Sequence, residues 1–144
     1  MRSVFGIAID CSKVRLKRRR WFPFQPVDTL MAPSGHVHFH PRSPHRCEDF
    51  SQASVEKQAL FLHEMTHVWQ TQTRGRWYLV LSRSFSRRYD YSLKPGWRLE
   101  QYGIEQQAEI VRHAFLLRKG QKLAGVADKT AYDALVDFPG AAPA

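Results

Sequence analysis

The stretch Phe61-Leu62-His63-Glu64-Met65-Thr66-His67-Val68-Trp69-Gln70 constrains this chain more than any other. Around it Val55, Ala59, Leu62, Thr66 and Trp69 recur at three- and four-residue steps, the spacing of one face of an α-helix. Ser54 supplies an N-cap, Glu56 puts a negative charge in the first turn, and Gly75 closes the element, so a helix is predicted over about 54–72. On it His63 and His67 lie one turn apart on the same side, and both imidazoles can reach one ion. Glu64 stands about 100° around the helix from His63. There it can face a metal-activated water, as a general base must. The competing reading is an amphipathic helix with two histidines on a half-buried face. Burying His63, Glu64 and His67 together beside an apolar stripe is costly without a partner such as a metal, which favours the metal reading.

A catalytic Zn²⁺ site of this kind takes three protein donors and keeps one position for water. The metzincin pattern His-Glu-x-x-His-x-x-Gly-x-x-His would supply the third donor locally, but the diagnostic places hold Gln70 and Thr73. A second helix is predicted from about Gln101 to Lys119, with Ile104, Ala108, Val111 and Phe115 as its core stripe and Gly120 as its stop. Glu105 lies beside that stripe, 38 positions after His67, far enough for a loop and a returning helix. It is the leading third ligand, with Glu100 as the fallback and His113 as the nitrogen alternative. Glu109 is one turn further on, placed to accept the remaining ring N–H of a ligating histidine. For both glutamates the plain alternative is a solvent-facing position.

The pairing of His63-Glu64-Met65-Thr66-His67-Val68-Trp69-Gln70 with Glu105-Gln106-Gln107-Ala108-Glu109-Ile110-Val111 resembles the small metallopeptidase domains linked to bacterial type VI secretion. Those occur as Vgr-related proteins or as C-terminal extensions of spike proteins. The resemblance extends to Arg2-Ser3-Val4-Phe5-Gly6, Pro23-Phe24-Gln25-Pro26 and His38-Phe39-His40-Pro41, and so covers most of the chain. It implies a minimal zincin-like α+β fold akin to gluzincins, with the active-site helix and a glutamate helix packed with a small β-sheet or hairpin. It also implies one Zn²⁺ held by His63, His67 and Glu105, with Glu64 as base. The chain departs from the family at its start, partway into the first helix, and a shortened helix there is expected to lower stability or expose part of the core.

The remaining sequence is read around that centre. Residues 2–9 predict one or two helical turns. Ser12 to Arg18 alternates apolar and basic residues, the period of a half-buried strand, and Lys17-Arg18-Arg19-Arg20 reads as a solvated edge or a phosphate-binding patch. Trp21-Phe22-Pro23-Phe24-Gln25-Pro26 is apolar but broken by prolines, which predicts a packed loop. In a strand His36, His38 and His40 would share one face, set toward solvent or a groove rather than around a second metal. Residues 77–81 form a short apolar run, strand or helical turn, and 82–99 a long loop from which Tyr89 or Tyr91 could steady an oxyanion, as could His113. A last short helix is expected near Lys129 to Asp137, followed by a tail fraying from about 140.

A chain of 144 residues fits one domain, here 1–144. The net charge of +9 predicts attraction to anionic surfaces without choosing among them. Cys11 and Cys47 are expected to be free thiols. The apolar run at the N-terminus stops at Asp10, too soon for a signal-peptide core, and no stretch reaches membrane-spanning length. The expectation is therefore a chain made in the cytoplasm, with any export by a type VI-like route. The leading functional expectation is a zinc peptidase acting on a peptide or protein, with a secretion spike or an immunity protein as partner. The alternative is a non-catalytic basic domain that binds nucleic acid or an envelope polyanion with structural zinc or none, and charge patches argue for it less specifically than a ligand-bearing helix argues for the peptidase.

Overall fold

A computed structural model of the chain describes residues 1–75, 78–79 and 89–142. The elements run α1 (Arg2–Phe5), β1 (Leu16–Lys17), β2 (Val37–His38), α2 (Val55–Arg74), α3 (Ile104–Arg118) and α4 (Lys129–Leu135). Short 3₁₀ turns lie at Cys11–Lys13, Phe50–Gln52 and Leu99–Gln101. The architecture is α+β, dominated by α2 and its packing against α3. No helix among the described residues is long and apolar enough to cross a membrane.

Helix α2 begins where its sequence says it should. The Ser54 hydroxyl accepts from Lys57 N at 3.4 Å, and Gly75 (φ 92°) ends the helix by donating to Thr71 O. Its middle is not amphipathic. Every residue from Leu62 to Thr71 is buried, polar ones included. The hydroxyls of Thr66 and Thr71 donate back to Leu62 O and His67 O, which removes two of the buried donors that would otherwise be costly. The expected stripe on α3 is present, with Ile104, Ala108, Val111 and Phe115 all buried. The helix proper starts at Ile104, after the 3₁₀ turn Leu99–Gln101 and an N-cap at Gly103, and this puts Glu105 in its first turn. Helix α4 is capped by Asp128 and tied to α3 by Asp133, which accepts from Arg118 at 2.6 Å and from Lys129 at 2.8 Å.

Several expectations are corrected by the β region. The strand predicted over Ser12 to Arg18 shrinks to Leu16–Lys17, because Asp10 caps a 3₁₀ turn by accepting from Ser12 N and its hydroxyl. The sheet is a parallel pair and not a hairpin, with Leu16 opposite Val37 and Lys17 opposite His38, plus an antiparallel bridge from Met31 to His38. His38 and His40 do not face solvent, being 1% and 2% exposed. The edge of the Trp21 indole covers His38, and His40 Nδ1 accepts from Arg42 N. The Trp21 to Pro26 loop is not packed inward. Only Gln25 is buried there, while Trp21, Phe22 and Phe24 are exposed.

At the N-terminus α1 keeps Val4 and Phe5 in the core despite its length. Gly6 (φ 51°) turns the chain so that Ile7 N donates to Pro139 O, and a Cβ at Gly6 would lie 2.1 Å from that oxygen. Ala142 N donates to Ser3 O, so the tail expected to fray is bonded as far as Ala142. Of the apolar run at 77–81, Tyr78 and Leu79 have helical backbone, whereas Trp77, Val80 and Leu81 lie outside the described residues, as do residues 82–88 of the expected loop. Both cysteines are free.

Candidate metal centre

Three side chains from two helices meet between α2 and α3. His63 Nε2 lies 3.5 Å from Glu105 Oε2, and His67 Nε2 lies 3.2 Å from the same oxygen. All three residues are buried, and one donor atom from each falls within 4.8 Å of the others. Ligands about 2.0–2.2 Å from a tetrahedral ion stand roughly 3.3–3.6 Å apart, and the two separations from Glu105 lie close to that range. The group could hold a metal ion.

The outer nitrogens decide which inner nitrogens are available. His67 Nδ1 is 2.9 Å from Gln70 Oε1, and the Gln70 amide nitrogen donates to both Ile104 O and Gln107 Oε1 at 2.9 Å. Those two acceptors fix the Gln70 amide with its carbonyl toward His67, so Nδ1 carries the proton and Nε2 presents its lone pair to the cluster. Gln107 is held in turn, donating to Tyr102 O at 2.6 Å. On the other imidazole, His63 Nδ1 lies 2.9 Å from Glu109 Oε1, and Arg112 Nη1 donates to both oxygens of Glu109. Burial alone would depress His63, but its bonds with Glu105 and Glu109 outweigh that and push it up to about 9 in the metal-free protein. Burial would raise Glu109, yet the His63 bond and the Arg112 guanidinium leave it below its ordinary value.

Glu64 is 5% exposed, and its Oε2 has no hydrogen-bond partner among the described residues. A buried carboxylate oxygen without a donor is expensive, and it is an acceptor ready for a proton. Glu100 is exposed on the Leu99–Gln101 turn and is not among the gathered donors. His113 stands behind Glu109, with Nε2 3.5 Å from Glu109 Oε2 and Nδ1 2.5 Å from the Tyr91 hydroxyl. That hydroxyl also meets Tyr132, and burial together with this contact raises Tyr91. Tyr89 is different. It is half exposed, and its ring stacks at 6.5 Å from that of His63.

Sequence reasoning missed Gln70 and Gln107 as parts of this centre. Gln70 was legible only as the residue standing where a metzincin glycine would be. Its position three residues after His67, on the same face of a helix, was the available signal. Among the described residues no comparable donor cluster forms around His36, His38 and His40.

No protein-family model matches the chain. Over 121 residues it is 43% identical to the type VI secretion system spike protein VgrG2b of Pseudomonas aeruginosa PAO1, an alignment covering 80% of this chain. The chain spans only 12% of that spike protein's length. The solved effector domain of Pseudomonas aeruginosa VgrG2b superposes with a TM-score of 0.73 at 38% identity, covering 94% of this chain and 76% of that one. The chain belongs to the family of VgrG2b effector domains. In this member of the VgrG2b effector family, the region shared with that structure takes in nearly the whole chain.

Proposed function

We propose that this chain is a zinc-dependent peptidase domain of zincin-like, gluzincin type, exported by a type VI secretion route. The observation that carries the reading is the convergence of both Nε2 atoms on one Glu105 oxygen at separations of 3.2 and 3.5 Å. His63, His67 and Glu105 would hold the ion, and a His₂Glu donor set is the one used by hydrolytic zinc centres. When bound, Zn²⁺ supplies Lewis acidity and lowers the pKa of its water towards about 7.

The chain's own residues do the rest. Gln70 and Glu109 hold the two imidazoles in the ligating tautomer and orientation. Glu64 accepts the nucleophile's proton at its unpartnered Oε2 and returns it to the leaving amine. Tyr89, half exposed with its ring beside that of His63, is the helper we assign to a substrate oxygen. Tyr91 and His113 are committed to Tyr132 and Glu109 and support the wall behind the centre. A peptide or protein is the substrate class, and a spike or an immunity protein the expected partner.

Metal analysis of purified wild type against Glu105→Ala tests the reading, with circular dichroism to verify folding. About one zinc per wild-type chain and none in the folded variant is expected. Wild type that takes up no zinc would overturn it.

A further inference from the structure

We infer that the loop after β1 is a membrane-docking surface for anionic phospholipid, a role independent of the metal centre. The loop presents Trp21, Phe22 and Phe24 at 41%, 38% and 87% exposure, with Leu16 and Val27 also open. Phe24 stands almost wholly clear of the protein, so it crowns a protrusion and does not line a groove. This display is built rather than slack. The buried Gln25 side chain accepts from Trp21 N at 2.7 Å and donates to Thr29 O and His38 O, pinning the loop to the sheet from beneath.

Cations surround the aromatic tip. From Val14 to Val27 the chain carries Arg15, Lys17, Arg18, Arg19 and Arg20 and no acid. Arg18 and Arg20 donate to the backbone oxygens of Pro41 and Pro23, which holds their side chains in place without neutralising them. Arg20 and Arg42 both act on His40, and Lys17 and Arg19 on His38, so these charges share one region of the surface. Rigid exposed aromatics ringed by arginines match an anionic bilayer, whose headgroups attract the cations while the rings enter the acyl boundary. Nucleic acid would use the same charges but stack its bases along a groove lined with aromatics. A Phe crown on a protrusion fits lipid better.

The test is co-sedimentation of the full chain with phosphatidylcholine vesicles, with and without phosphatidylglycerol. Binding only in the presence of phosphatidylglycerol, weakening with added salt, is expected. Joint substitution Arg19→Glu and Arg20→Glu should weaken it by about thirty-fold or more. Phe24→Ala should weaken it about tenfold at unchanged charge. Because these side chains are exposed, thermal melting should stay at the wild-type value in both variants. Absence of sedimentation with phosphatidylglycerol vesicles would overturn the proposal. So would binding indifferent to Phe24→Ala, or tighter Phe24-dependent binding to single-stranded DNA.

Discussion

The side-chain carbonyl of Gln70 sits 2.9 Å from Nδ1 of His67 and can point nowhere else, because its amide nitrogen is already shared between Ile104 O and Gln107 Oε1. Gln70→Leu should therefore weaken zinc binding about 10–100-fold while leaving the protein folded. Losing the bonds to Ile104 O and Gln107 Oε1 should also cost about 1–3 kcal/mol of stability. Competition against a chromophoric chelator measures the first effect and urea unfolding the second. Wild-type zinc affinity in a folded Gln70→Leu protein would show that the amide relay does not set the imidazole.

Under the proposed mechanism, Glu64→Gln removes the proton acceptor and keeps the shape. Zinc content and melting temperature should match wild type, while peptide cleavage falls by at least about 100-fold. Digestion of a mixed peptide library, read by mass spectrometry, checks this whatever the preferred cleavage sequence. Undiminished cleavage would remove Glu64 from the mechanism.

His38 gives the fold an acid-sensitive point outside the candidate metal centre. Burial first, then the charge of Lys17, lowers it from 6.5 to about 4. The unfolded chain thus binds a proton that the folded chain refuses, and stability should decline as pH falls from about 6.5 towards 4. The loss amounts to at most about 3 kcal/mol. Melting temperature against pH for wild type and His38→Gln provides the check. The variant's curve should be flatter across that window, and parallel curves would refute the assignment.

Gly6→Ala should destabilise the protein by about 2–4 kcal/mol, through a positive φ that side chains resist and a clash with Pro139 O. That corresponds to a fall of roughly 10 °C in melting temperature. Gly75→Ala, also at positive φ but with open space around the added Cβ, is the matched control and should cost less.

The parts of the fold legible in the sequence were those set by local periodicity and by a donor pattern within one helix. Val55 to Trp69 and Ile104 to Phe115 announced α2 and α3, and His63, Glu64 and His67 followed from their spacing. Glu105 was reachable as the leading candidate, ahead of Glu100 and His113, because it stood beside the apolar stripe of a returning helix. The β region was misread where tertiary context decides. Alternation at Ser12 to Arg18 looked like a half-buried strand, but Asp10 takes its first residues for a turn, and Leu16 stays half exposed. Three alternating histidines suggested one open face, yet the loop carrying Trp21 closes over His38. Gln70 and Gln107 carry no sequence signature of their own, because a buried amide pair is specified by contacts 37 residues apart.

The donors and the amides that steer them all belong to α2 and α3 themselves, with Gln70 gripping the backbone at Ile104 directly. Assembly of the centre is thus a matter of helix register. A one-turn slip of α3 along α2, about 5.4 Å, would part Glu105 from both imidazoles and Gln70 from Ile104 O at the same stroke. Misaligned helices therefore lose the amide relay and the donor cluster together.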